Sequence, residues 1–301
     1  MSALRLQGLI FSALALLTIA FSLLLPPMMP RQEWILAGGL IVLLGVPHGA
    51  LDPLFAQALL QLNSHAAWFG FVAVYLLLAA VVVALWWYSP LLFLIAFLSV
   101  SILHFSGDLV ERTTFAERLV YGGGVITLPA LRHSTELTRL FSQLVGADAA
   151  MPVVAVLQLI SLPCLLALFV VVVRGVRRDR FNGLEIMAVG LLTWIATPLL
   201  GFAIYFCAMH SARHILRTRQ YAGVGPRQMV LVALLPLLAV IGFSVLGWYF
   251  LPPSSTDERM LRLLFVTLAA LTLPHMVLVE RVRLSNWQRP GTPARLSTSA
   301  P

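Results

Sequence analysis

The chain has 301 residues, 60% of them hydrophobic and only 11% charged, and a formal net charge of +8 whose basic side is all arginine. Soluble domains carry about 25% charged residues, so composition excludes an ordinary soluble fold. The arginines sit in short connections and the C-terminal tail, with no basic face interleaved with aromatics, which argues against nucleic-acid binding.

The apolar runs define the elements. No charged residue lies between Arg5 and Arg31, between Asp52 and Asp108, or between Asp148 and Arg174. A helix needs about 20 apolar residues to cross a bilayer core. Spans are predicted over 9–26, 34–51, 67–88, 90–107, 152–173, 184–210, 228–250 and 262–280. The first lacks a small-residue cleavage site and ends in Pro26-Pro27, so it reads as a span and not as a cleaved leader. Turns are expected at Pro26-Pro27, Ser89-Pro90 and Pro252-Pro253. The fold expected is all-α: a polytopic transmembrane bundle of about 8 spans, plus a re-entrant, interfacial or doubly crossing segment near 115–150. Residues 1–285 form one membrane domain, and 286–301 a polar, disordered tail. Cys164 and Cys207 lie in apolar runs and read as packing residues.

Polar groups inside such runs are functional suspects. Of seven histidines, His65 and His133 lie in polar connections and read as surface residues. The other five, His48, His104, His210, His214 and His275, lie toward the ends of apolar runs. His210 and His214, in "HSARH", share one helix face, a spacing that suits two ligands of one metal. The general-base glutamate of metalloprotease helices is missing, because Ser211 follows His210. His48 and His104 are the further ligand candidates. Each has a carboxylate four residues on, in "HGALD" and "HFSGD". Asp52 and Asp108 are thus placed either behind a ring nitrogen of a neighbouring histidine or at a helix end. Pro47 and Pro274, each just before a histidine, bend their helices, which membrane helices tolerate beside a cavity. All five histidines share one side if 184–210 crosses once and 115–150 an even number of times. By that parity eleven arginines fall on the histidine side and seven, including those of "RGVRRDR", opposite. An imidazole-rich site suits zinc, copper, iron or nickel. A lipid substrate offers C–H and C=C bonds to oxidise, which favours iron and O₂.

At these residues, "PHGALD" (47–52), "HFSGD" (104–108), "HSARH" (210–214) and "LPHM" (273–276), the sequence resembles the bacterial and archaeal β-carotene 15,15′-dioxygenase family, also called Brp/Blh. The matches run in order from the second span to the last. The resemblance implies a multi-pass enzyme of the inner (plasma) membrane that uses Fe(2+) and O₂. It would cleave the central double bond of β-carotene into two molecules of all-trans retinal, with a retinal-using membrane protein as a candidate partner. By motif, the metal ligands would be His48, His104, His210 and His214. His275 would be a fifth ligand, a group behind a ligand or a residue on the O₂ side, and is grouped with Asp52 and Asp108 as a catalytic candidate. Phe105, Trp194, Tyr205 and Phe206 are candidates for lining a substrate tunnel. The alternatives are a di-iron lipid desaturase or hydroxylase, a metal or proton transporter lined by His and Asp, and a haem-binding electron carrier.

Overall fold

The structure is a computed structural model and describes residues 2–109, 113–251 and 254–284. The described residues form helices, with no strand among them. Helix α1 (Ala3–Leu24) is followed by α2 (Pro30–Leu40), which runs through a π turn (Ile41–Gly45) and a 3₁₀ turn (Val46–Leu51) into α3 (Asp52–Leu60). Helices α4 (His65–Tyr88) and α5 (Pro90–Phe105) form a hairpin, and a 3₁₀ turn (Ser106–Asp108) ends α5. Then come α6 (Phe115–Thr127), α7 (Pro129–Val145), α8 (Ala147–Arg178) and α9 (Arg180–Ile195). Helix α10 (Pro198–Ile204) passes through a second π turn (Tyr205–Ser211) into α11 (Ala212–Ala222), and α12 (Pro226–Phe250) and α13 (Thr256–Leu284) complete the bundle.

Eight of these stretches are long and apolar enough to cross a membrane, so this is a multi-pass membrane protein. Helix α4 buries none of its residues and presents Phe69, Leu77 and Trp87 outward. Water would penalise that surface, whereas lipid tails do not. The Pro26-Pro27 and Ser89-Pro90 breaks fall between helices as expected. Pro252-Pro253 and the 286–301 tail lie outside the described residues.

The predicted 184–210 span is not one helix. It breaks at Ala196-Thr197, where Ala196 is extended (φ −71°, ψ 155°) ahead of Pro198. Proline disfavours the helical conformation at the residue before it, here Thr197, which is also extended (φ −55°, ψ 146°). Helices α9 and α10–α11 then run antiparallel, since Arg213 of α11 bonds Glu185 near the start of α9 at 2.6 and 2.7 Å. The 115–150 segment also departs from the even count. Helix α6 leaves the histidine end, and α7 lies at the other, where His133 bonds the Ile195 carbonyl at 3.1 Å and Leu144 accepts from Trp86. His133 is accordingly half-buried, not a surface residue. The two departures cancel, and the five histidines still reach one end.

They do not cancel for the arginines. Arg178 pairs with Glu117, in the first turn of α6, at 3.0 Å, and Arg5 with Asp179 at 3.0 Å. The "RGVRRDR" stretch therefore lies at the histidine end, opposite to the expectation. Among the described residues twelve arginines lie at that end, and five (Arg31, Arg132, Arg139, Arg259, Arg262) at the other.

Close approach of α6 to α5 depends on Gly122, where a Cβ would collide with the Ile102 carbonyl oxygen two residues before His104. The Arg213–Glu185 pair, both groups buried, ties α11 to α9. Removing one partner of a buried pair costs about 3–5 kcal/mol. Arg213→Ala should therefore unfold at markedly lower temperature in detergent, whereas Arg5→Ala, at the exposed pair, should not. Cysteines placed at Arg177 and Arg5 should label from one side of sealed vesicles, and cysteines at Arg31 and Arg259 from the other.

Candidate metal centre

Three of the five histidines, His48, His104 and His210, lie where a helix departs from α geometry or ends. Pro47 has no N–H to continue α2, and the chain answers with the π turn before it and the 3₁₀ turn that carries His48. Such π turns recur at functional sites. Gly45 lets the ring of Phe206 approach where a Cβ would collide. Its carbonyl accepts from His48 Nδ1 at 2.5 Å and from Ser211 Oγ at 3.3 Å. His104 stands at the end of α5, His210 in the second π turn, His214 one turn on in α11, and His275 just after Pro274 within α13.

The five rings converge. Centroids of His104 and His210 lie 4.4 Å apart, His214 and His275 4.9 Å, His48 and His210 5.1 Å, and His48 and His275 5.1 Å. All five are buried. The tightest set is His48, His104 and His275, whose ligating nitrogens lie within 4.8 Å of one another. The geometry thus gives His275 a place beside the metal-facing histidines.

The two aspartates cross over between motifs. Asp52, four residues after His48, accepts from His275 Nδ1 at 2.6 Å and from the Tyr75 hydroxyl at 2.8 Å. Asp108, four after His104, accepts from His210 Nδ1 at 3.0 Å and from the Tyr205 hydroxyl at 2.6 Å. The acceptors fix the tautomers: His48, His210 and His275 carry their proton on Nδ1 and present a bare Nε2. The Nε2 atoms of His210 and His275 are buried with no hydrogen-bond partner, a costly arrangement unless something binds the lone pairs. A divalent cation fits. It would satisfy these nitrogens, and two buried carboxylates behind the rings would balance its charge.

Tyr205, a candidate tunnel residue from the sequence, instead spends its hydroxyl on Asp108, and Trp194 is partly exposed away from the site. Phe105 and Phe206 do line the cavity beside the histidines. Sequence reasoning missed Tyr75, Ser211 and the Arg213–Glu185 pair. Of these, only Glu185 gave a signal, as an acid at the edge of an apolar run.

A model of the family described as beta-carotene 15,15′-dioxygenase matches residues 39–282. The chain belongs to the β-carotene 15,15′-dioxygenase family. Members similar to it include the beta-carotene 15,15′-dioxygenase of uncultured marine bacterium 66A03, 30% identical over 80% of this chain and 90% of the relative. The probable beta-carotene 15,15′-dioxygenase Blh of Halobacterium salinarum is 26% identical over 79% of this chain and 81% of the relative. No solved structure matches the chain. The matched region of this dioxygenase-family chain contains all five histidines and both aspartates.

Outer partners of metal-bound histidines are worth about 10–100-fold in metal affinity. Asp52→Asn and Asp108→Asn should each weaken divalent-metal binding by that factor, read by metal titration of purified protein. Tyr75→Phe, which leaves the carboxylate in place, should weaken it less.

Proposed function

We propose that the protein holds one iron(II) among its buried histidines and uses O₂ to cleave the central double bond of β-carotene into two molecules of all-trans retinal. The observation that carries this reading is the convergence of five buried histidines, with the Nε2 atoms of His210 and His275 left without a hydrogen-bond partner, beside an aromatic-lined cavity in a chain of this family. The reaction balances without an external reductant: the C=C bond breaks, and each carbon takes one oxygen atom of O₂. Bound iron would supply the redox chemistry that couples O₂ to an alkene.

The remaining work falls to side chains. His48, His104 and His275 are the nearest trio, with His210 and His214 alongside completing the ligand candidates. Imidazole ligands leave the iron its full charge, and Asp52 and Asp108 offset that charge from behind. Phe105, Phe206 and Leu268 line the cavity at the histidines. They exclude water and present only apolar surface, which suits a hydrocarbon with no hydrogen-bonding group. A transporter would need polar groups along its depth, but the space leading away from the histidines is lined by Phe97, Leu98, Val125 and Phe265. Among the described residues the twelve-to-five excess of arginine at the histidine end supports a cytoplasmic histidine end and an inner-membrane location.

Expression in a bacterium that accumulates β-carotene should bleach the cells and yield retinal. Intact carotene, despite good membrane expression with iron supplied, would overturn the reading. Purified protein should carry about one iron per chain; two would favour a di-iron oxidase. His48→Ala, His104→Ala and His275→Ala should each lose iron and activity together, and a variant that keeps full iron occupancy removes that residue from the ligand set.

A further inference from the structure

Cutting a symmetric rod at its midpoint requires the enzyme to measure half its length. A hydrocarbon offers no polar mark to read, so the measure has to be a wall. The cavity at the histidines has a volume of about 40 Å³. A second, of about 90 Å³, lies farther into the bundle and is almost wholly apolar. The two share Phe97, Ser101 and Phe202 in their linings, so these side chains border both. The rings of Phe202, Phe206 and His210 form a continuous stack along one helix face, with centroids 5.3 and 5.6 Å apart. That stack leads from the metal-facing histidines to the second chamber. The far chamber ends against the apolar face of α7, at Leu137, Leu140 and Leu144, all buried. Pro198 also lines it, and the helical stretch from Pro198 to His210 is about 18 Å long.

We propose that this two-chamber passage, pinched at Phe97 and Phe202, receives one half of the polyene, and that its wall at α7 is the stop that sets the central double bond at the metal. The inference rests on the carotenoid-cleaving activity proposed above. Both chambers are small beside the about 300–1,000 Å³ of ordinary ligand pockets. Filling them requires the Phe97 and Phe202 rings to swing aside, which makes the pair a gate as well as a wall. Phe202 has room to trade contacts, because it packs against Phe105 and Phe265 as well as Phe206.

The test uses the full-length protein with iron loaded. Leu140→Phe shortens the passage, Leu140→Ala deepens it, and Phe202→Ala removes the pinch. Products from β-carotene are separated by length, and anaerobic binding is followed by the induced circular dichroism of the bound polyene. Leu140→Phe should bind about tenfold more weakly and yield aldehydes of unequal length, and Leu140→Ala should also yield unequal pairs. Phe202→Ala should bind more tightly. Iron content equal to wild type certifies each variant's fold; one that loses iron is replaced by Leu140→Met or Phe202→Leu and read the same way. Wild-type binding with the equal-length product alone in all correctly loaded variants would overturn the stop. A wild-type protein that cleaves no carotenoid would instead remove the activity on which the inference rests.

Discussion

The contact between Asp108 and His210 joins the site to the fold. Its carboxylate orients His210 and accepts from Tyr205, while its backbone carbonyl accepts from Arg213 at 2.9 Å. Arg213 also reaches Gln7 on α1 and Glu185 on α9. One short turn after α5 therefore positions a histidine from another helix and is itself held by an arginine three residues beyond that histidine. Charges buried at this depth persist only when paired and hydrogen-bonded. Here Arg213 is paired with Glu185, the Asp108 carboxylate meets His210 and Tyr205, and the Asp108 backbone carbonyl links the two groups.

The same constraint governs the backbone. Lipid offers no hydrogen bonds, so a helix interrupted in a membrane must find partners for the groups it frees. Beside Pro47 the Gly45 carbonyl accepts from the His48 ring and from Ser211. At Thr197-Pro198 the buried carboxylate of Glu33 accepts from the Thr197 hydroxyl and from the Leu200 N–H. One break serves the site and the other serves the fold, and both are closed by a side chain from a different helix.

Much of the site was legible because membranes make polar residues conspicuous. Five histidines toward the ends of apolar runs, and one pair spaced by four, stood out against hydrocarbon. The partners of the aspartates were not legible: Asp52 lies 223 residues from His275, and spacing within a motif cannot show a contact between motifs. The α9–α10 hairpin was hidden for another reason. Apolar residues run unbroken through Ala196-Thr197, and hydropathy does not distinguish one long span from two short ones. Length was the available clue, since Arg180–Ala222 laid straight would reach about 65 Å, twice a bilayer core of about 30 Å. Missing that hairpin misplaced the arginines of "RGVRRDR", while the histidines landed correctly because a second parity error compensated.

The π turn at Tyr205–Ser211 has a consequence for how this helix can change over generations. A π turn accommodates one more residue than the α-helix would, so it amounts to an insertion preserved inside a helix. Everything after it is rotated by about 100° relative to an uninterrupted α-helix. Phe202 and His214 lie on either side of it, facing the apolar passage and the metal-facing cluster respectively. Their relative phase is stored in chain length and not in any single side chain. Substitution of a turn residue changes its own contacts but not this phase, whereas loss of one residue would swing His214 and Arg217 together onto another face. The spacing between Pro198 and His214 is therefore a constraint of its own, separate from the residues that fill it.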